Sequence, residues 1–140
     1  MQKLFSSSPL WQNGGLTVIR IIVGLFLIYH GWEVFDEEKM MVYLGWDQFK
    51  DSTGVLLAYL GKTTELVGGI MLTIGFLTRI AALIVACTML YVSVFVGHGK
   101  IWYEDQYPFL FVLLALVFFF TGPGRYSVDH LLSGKNKKAV

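Results

Sequence analysis

The chain has 140 residues, of which 55% are hydrophobic and 15% charged; its formal net charge is +1 and its mean hydropathy +0.60. The length suits one domain, and the composition is too apolar for a soluble domain of this size. A near-neutral charge, with no basic stripe interleaved by aromatics, argues against a nucleic-acid partner.

The opening stretch "MQKLFSSSPLWQNGG" is polar, and the apolar run behind it follows without a small-residue cleavage site. It is a poor secretory signal, so the run is expected to persist as a helix. Four apolar segments of about 20 residues follow, the length that a hydrocarbon core requires. They cover residues 15–35, 53–76, 78–97 and 102–121. The expected fold is therefore all-α: a polytopic, antiparallel bundle of four transmembrane helices. The second and third segments are joined only around Gly75 to Thr78, which demands a tight helical hairpin. The first and second are joined by the longer, acidic "DEEKMMVYLGWDQFKDS". Beyond the fourth, "GPG" reads as a helix stop, and Ser127 is placed to cap a short amphipathic turn. A single domain over residues 1–134 and a basic tail over 135–140 complete the organisation.

Basic residues near helix ends set orientation. With the N-terminus inside, Lys3, Arg20, Arg79, Arg125, Lys135, Lys137 and Lys138 fall inside, against Lys39, Lys50 and Lys100 outside. Both termini are thus expected in the cytoplasm. Trp11, Trp32, Trp46 and Trp102 stand at segment ends, where amphipathic rings settle.

The second segment carries Lys62 and Glu65. A continuous helix from Thr53 places both near mid-membrane; the alternative is a re-entrant or interfacial piece over residues 43–59, with the span starting near Gly61. Gly61, Glu65, Gly68, Leu72 and Gly75 recur at spacings of four and three and share a helix face. Three glycines there permit close backbone approach. In the first segment Arg20, Gly24, Leu27 and Gly31 share a face; the third offers Ala82, Ala86, Ser93 and Gly97. These seams turn Arg20 and Glu65 inward. An ionised group in hydrocarbon needs a partner or local water. Arg20 and His30 are both candidates for Glu65, the second if Gly31 packs level with Gly61. Lys62 is three residues from Glu65 and reaches it along the helix, or snorkels outward.

These charges read either as a structural network or as a polar pocket for a small amphipathic molecule, such as a quinone head group. His30 and His98 are weak candidates for haem ligation; no CxxCH occurs. Cys87, the single cysteine, cannot form an internal disulfide or a CxxC pair and reads as a small packing residue. HExxH, GxSxG, P-loop and dinucleotide fingerprints are absent, and no metal site is expected.

Three stretches together resemble the DoxX family of small prokaryotic membrane proteins. They are "RIIVGLFLIYHGWEVF", "ELVGGIMLTIGFLTRIAAL" and "YPFLFVLLALVFFFTGPGRYSVD". The second is similar to a Glu-x-x-Gly-Gly…Gly-x-x-Thr-Arg core and the third to a Gly-x-Gly-x-x-Ser-x-Asp finish. Glu33, where relatives often carry lysine, departs from the pattern, and Lys62 is not required by it. The resemblance implies a four-helix protein of the cytoplasmic membrane, with Arg20, Glu65, Gly68, Gly69, Arg79, Gly122, Gly124, Ser127 and Asp129 as positions of interest. Asp129 is expected to pair with Arg79 or Arg125. The resemblance also implies a link to membrane redox systems. The expected function is an accessory or quinone-interacting subunit, with quinone as the possible cofactor and Arg20, His30, Lys62 and Glu65 at an intramembrane polar site. The electron carriers would come from a redox-protein partner; a homo-oligomer is the other association expected. A small-solute carrier or channel and a non-catalytic assembly scaffold are the alternatives.

Overall fold

The computed structural model describes residues 11–136, the last three by their helical backbone alone. Lys3 and the basic tail, with Lys135, Lys137 and Lys138, lie outside the residues whose side chains are described. Among the described residues every regular element is helical. Helix α1 (Gln12–Gly31) continues through a 3-10 turn at Trp32–Phe35. The acidic linker folds into the short α2 (Glu37–Leu44) and a second 3-10 turn at Asp47–Phe49. Then come α3 (Ser52–Ile74), α4 (Thr78–Tyr91), α5 (Gln106–Thr121) and α6 (Val128–Asn136). Helix α4 runs on through a π-helical turn at Val92–Val96.

Helix starts follow local chemistry. The Asp36 carboxylate accepts the Lys39 N–H at 3.2 Å and begins α2; the Asp51 carboxylate accepts the Gly54 N–H at 2.6 Å and begins α3. From Asp51 the helix is unbroken to Ile74, the continuous course expected from Thr53, with no break near Gly61. At its end Gly75 takes the left-handed conformation (φ 71°). The Phe76 N–H reaches back to the Met71 carbonyl and the Gly75 N–H to that of Leu72, a Schellman closure that turns the chain at once into α4.

Among the described residues three helices are long and apolar enough to cross a membrane: Gln12–Phe35, Ser52–Ile74 and Thr78–Val96. The fourth differs from expectation. It begins at Gln106 instead of 102, because Asp105 accepts the N–H groups of His98 (2.9 Å) and Lys100 (2.8 Å) and gathers residues 97–105 into a loop. Trp102 is 87% exposed on that loop. The 16 residues of α5 reach about 24 Å at 1.5 Å each, short of a hydrocarbon core of about 30 Å.

The helices pack in the order α1, α3, α4, α5, and α1 and α5 barely meet. Val23, Leu27, Leu72, Ala82, Val85, Ala115 and Phe118 form the core between them, while Met40, Phe49 and Ala58 form a smaller one where α2 rests on the start of α3. Large apolar side chains such as Phe26, Ile70, Ile84 and Leu113 face outward, as lipid contact requires. Cys87 is also exposed on α4 instead of packing inside.

The α1–α3 seam is built on glycine. A Cβ at Gly24 would lie 2.7 Å from the Gly69 carbonyl oxygen, one at Gly69 would lie 2.8 Å from that of Gly24, and one at Gly31 would strike Leu66. Gly31 is therefore level with Leu66, not Gly61; five residues of α3 amount to about 7.5 Å. Gly61 lies off the seam, with nothing within 4 Å of where its Cβ would stand. Gly68 faces Val85 of α4 instead. The expected single stripe is thus divided, because α3 is central and meets a neighbour on each side.

This geometry separates two similar substitutions. Gly31→Ala should lower stability in detergent by about 1–3 kcal/mol, the usual cost of overpacking. Gly61→Ala should be neutral or stabilise by about 0.5–1 kcal/mol, as for glycine replaced inside a helix. Thermal melts of the two purified variants measure the difference.

Candidate functional site

The seam's register decides which charges meet. Antiparallel packing that sets Gly31 beside Leu66 brings the following 3-10 turn over the preceding turn of α3. Glu33 in that turn meets Lys62: its Oε2 lies 2.9 Å from Lys62 Nζ. The same ammonium lies 3.2 Å from Glu65 Oε2, and so bridges two buried carboxylates. Helix α2 adds a third wall. The Tyr43 hydroxyl donates to Glu33 Oε2 at 2.6 Å, and Lys39 Nζ lies 3.5 Å from Glu33 Oε1. Lys62 Nζ also stands 4.6 Å from the centre of the Tyr43 ring, within cation–π range. Lys62 reaches Glu65 along the helix and does not snorkel outward.

A cavity of about 140 Å³ opens beside this cluster. Lys62, Glu65 and Gly61 form one wall; Tyr43, Trp46, Phe49 and Tyr91 supply aromatic surface. Val92 and Val96 of the π turn complete it from α4. Gly61 serves here as open space on the wall, not as a packing contact.

Arg20 does not take part. It is almost fully buried against the other end of α3, where a side chain on Gly75 would collide with its guanidinium. Gly75 is ten residues beyond Glu65, about 15 Å along the helix. Arg20 Nη2 donates to the Tyr126 carbonyl at 2.7 Å, while Nε and Nη1 have no hydrogen-bond partner. An Arg20–Glu65 pair is therefore not made. Around Arg20 the C-terminal motif residues converge. Asp129 accepts the N–H groups of Leu77 (2.7 Å) and Thr78 (2.8 Å), capping α4 instead of pairing with Arg79 or Arg125. Ser127 Oγ donates to the Gly124 carbonyl at 2.7 Å and accepts the His130 N–H at 3.2 Å, capping α6. Gly122 (φ 79°) closes α5 beside the exposed Arg79.

The histidines are not brought together. His30 is exposed and lines an apolar groove of about 760 Å³ between α1 and α5, with Phe26, Tyr107 and Leu110. His98 lies in the 97–105 loop, its Nδ1 3.8 Å from Glu104 Oε2, beside a separate cavity. The two do not face one haem, and His30 does not reach Glu65's side of the seam.

The cluster can donate and accept protons at adjoining atoms. An ammonium between two carboxylates, closed on one side by a phenol, presents a donor and an acceptor to the cavity. Burial, and then the bond to Glu33, hold the Tyr43 phenol above the usual tyrosine range. Its neutral form is the one that the fold favours.

Comparison with known proteins places the chain. The DoxX family model matches residues 15–99. The chain belongs to the DoxX family. It is 33% identical to the inner membrane protein YqjF of Escherichia coli K12, over 89% of this chain and 96% of that one. It is 30% identical to an uncharacterized protein of Haemophilus influenzae Rd, over 82% and 88%. No solved structure matches it. The family span contains Arg20, Glu33, Lys62 and Glu65 and ends before the 122–129 finish. With three helices able to cross a bilayer, this DoxX chain is a membrane protein.

Sequence spacing sets Glu33 within proton-exchange reach of His30, three residues before it, and does not join it to Lys62 and Glu65; Tyr43 is overlooked as a site member. The available signal was an acid, Glu33, at the end of the segment that packs against the one carrying Lys62 and Glu65.

Two measurements examine the cluster. Lys62→Met leaves two buried carboxylates without their cation and should destabilise the protein by about 3–5 kcal/mol in detergent denaturation. Tyr43's contribution to stability is full below about pH 10, the ordinary tyrosine value, and is lost as pH rises through its higher folded value. Alkaline difference absorbance should show a late-ionising phenol that is missing from Tyr43→Phe.

Proposed function

We propose that this DoxX-family protein is an accessory subunit of a membrane redox system and holds the head group of a quinone-like carrier beside Lys62 and Glu65. One observation carries this reading: a cation and a carboxylate share the wall of an aromatic-lined cavity of about 140 Å³. A buried cavity of about 150 Å³ accommodates benzene, so the space suits one six-membered ring. A quinone carbonyl would accept from Lys62 Nζ, a quinol hydroxyl would donate to Glu65, and the ring would lie against Tyr43, Trp46, Phe49 or Tyr91. A redox-protein partner would supply or accept the electrons.

In this reading the chain forms a single domain in the bacterial inner membrane, the location named for YqjF. Helix α5 is its fourth span, its shorter length met by local thinning of the bilayer. Arg20, Arg79 and Arg125 gather at the end of the bundle that carries α6, which supports cytoplasmic termini. The rival reading, a non-catalytic scaffold, draws on the same ion cluster, since Glu33, Lys62 and Tyr43 tie together three elements.

Quinone extracted from protein purified in mild detergent, together with quenching of Trp46 fluorescence by added ubiquinone-1, tests the proposal. Wild type should retain and bind quinone. Glu65→Gln should bind the reduced form, ubiquinol-1, about tenfold more weakly, the loss of one charge-assisted hydrogen bond from the quinol hydroxyl. Absence of bound quinone and of quenching would leave the cluster as a structural lock.

A further inference from the structure

We propose that Glu33, Lys62 and Glu65 form a proton relay that connects the ring-sized cavity to the aqueous edge of the bundle, with Glu33 as its gate. The inference rests on the reading of that cavity as a ligand site, and it gives the ligand's proton a route. The cavity beside Lys62 and Glu65 does not include Glu33 in its lining. Glu33 lines a different cavity of about 320 Å³, together with Trp32, Asp36 and Lys39. The two cavities share no lining residue. Glu33 and Lys62, 2.9 Å apart, are where they connect through polar atoms.

The outer end of the series is open to solvent and its three inner members are sheltered. The side chain of Lys39 is 50% exposed, that of Glu33 10%, of Lys62 14% and of Glu65 9%. Consecutive members are 3.5, 2.9 and 3.2 Å apart. The groups facing this path are Tyr29 from α1, Glu33 from the 3-10 turn, Asp36, Lys39 and Tyr43 from α2 and its cap, Lys62 and Glu65 from α3, and Tyr91 from α4. No charged group of α5 lines either cavity.

The step balances without an electron. Glu65 takes a proton from a hydroxyl in the cavity, whose oxygen keeps the bonding pair and remains as an oxyanion beside Lys62. The Lys62 ammonium gives a proton to Glu33 and receives the one on Glu65. Glu33 then releases its proton to water in the outer cavity. One proton has moved outward, Lys62 is again an ammonium, and both carboxylates are ionised. Tyr43, donating to Glu33 Oε2, holds the gate in line with Lys62. A static ion cluster would have the same contacts but would not set the rate at which Glu65 exchanges its proton.

Infrared difference spectroscopy after a pH jump, on the protein in lipid nanodiscs without ligand, reads that rate. The protonated-carboxyl signal that Glu65→Gln abolishes belongs to Glu65. In Glu33→Gln that signal should relax about 100-fold more slowly, the contribution expected of a positioned acid–base group. Glu33→Asp, still ionisable, should restore most of the rate. Glu33→Met replaces Glu33→Gln if the latter does not fold. Wild-type relaxation in a folded Glu33→Gln or Glu33→Met would overturn the relay, as would the absence of any titrating Glu65 signal. Ubiquinone-1 binding is measured on the same samples. Slow exchange in Glu33→Gln without quinone binding would sink the quinone reading alone; quinone binding with unchanged exchange would sink the relay alone.

Discussion

The close approach of α1 and α3 governs most of what this molecule does. Gly24 and Gly69 let two backbones come within a distance that no side chain would permit, and Gly31 seats on Leu66. In a bilayer, apolar side chains gain little by leaving lipid for protein, so helix association relies on such intimate packing and on polar contacts. Once the seam closes, the axial register is set for every residue along both helices. Glu33 arrives over Lys62 and Glu65, and Arg20 arrives beside Gly75.

The register sorts the buried charges into two ends with different characters. At the Glu33 end an ammonium is shared by two carboxylates and faced by a phenol, so each ionised group has a counterpart. Buried ions are tolerated on those terms, and they leave proton donors and acceptors in contact. At the Arg20 end one guanidinium bonds the Tyr126 carbonyl, and Asp129 is committed to the start of α4. That end binds the C-terminal segment to the α3–α4 turn. It joins parts of the chain that lie far apart in sequence.

The open geometry around α3 explains where space remains. Helix α3 is central and spends its glycines on two neighbours: Gly69 on α1 and Gly68 on α4. Gly61 is left unopposed at the level where α4 loosens into a π turn, and the ring-sized cavity forms there. A π turn adds a residue to the helical circuit and displaces the side chains after it, a device common near functional sites. Tyr43 and Trp46 come from the linker, in which the sequence shows an acidic connection with an aromatic at the segment's edge but no wall of a site.

Periodicity, hydropathy and turn chemistry alone give the helical class, the first three apolar spans, the hairpin at Gly75 and the inward faces of Arg20 and Glu65. These are local matters, legible from neighbours in the chain. The sequence also marked Glu65 and Lys62 as a pair within one helix turn. That Glu33, and not Arg20 or His30, completes that pair follows from how α1 and α3 pack. A helix face at three-and-four spacing is nearly unchanged by a slide of one turn, so the pattern of glycines cannot choose among registers. The choice was made by which atoms collide, Gly31 on Leu66 instead of Gly61, and a shift of about 7.5 Å was enough to exchange one charge partner for another.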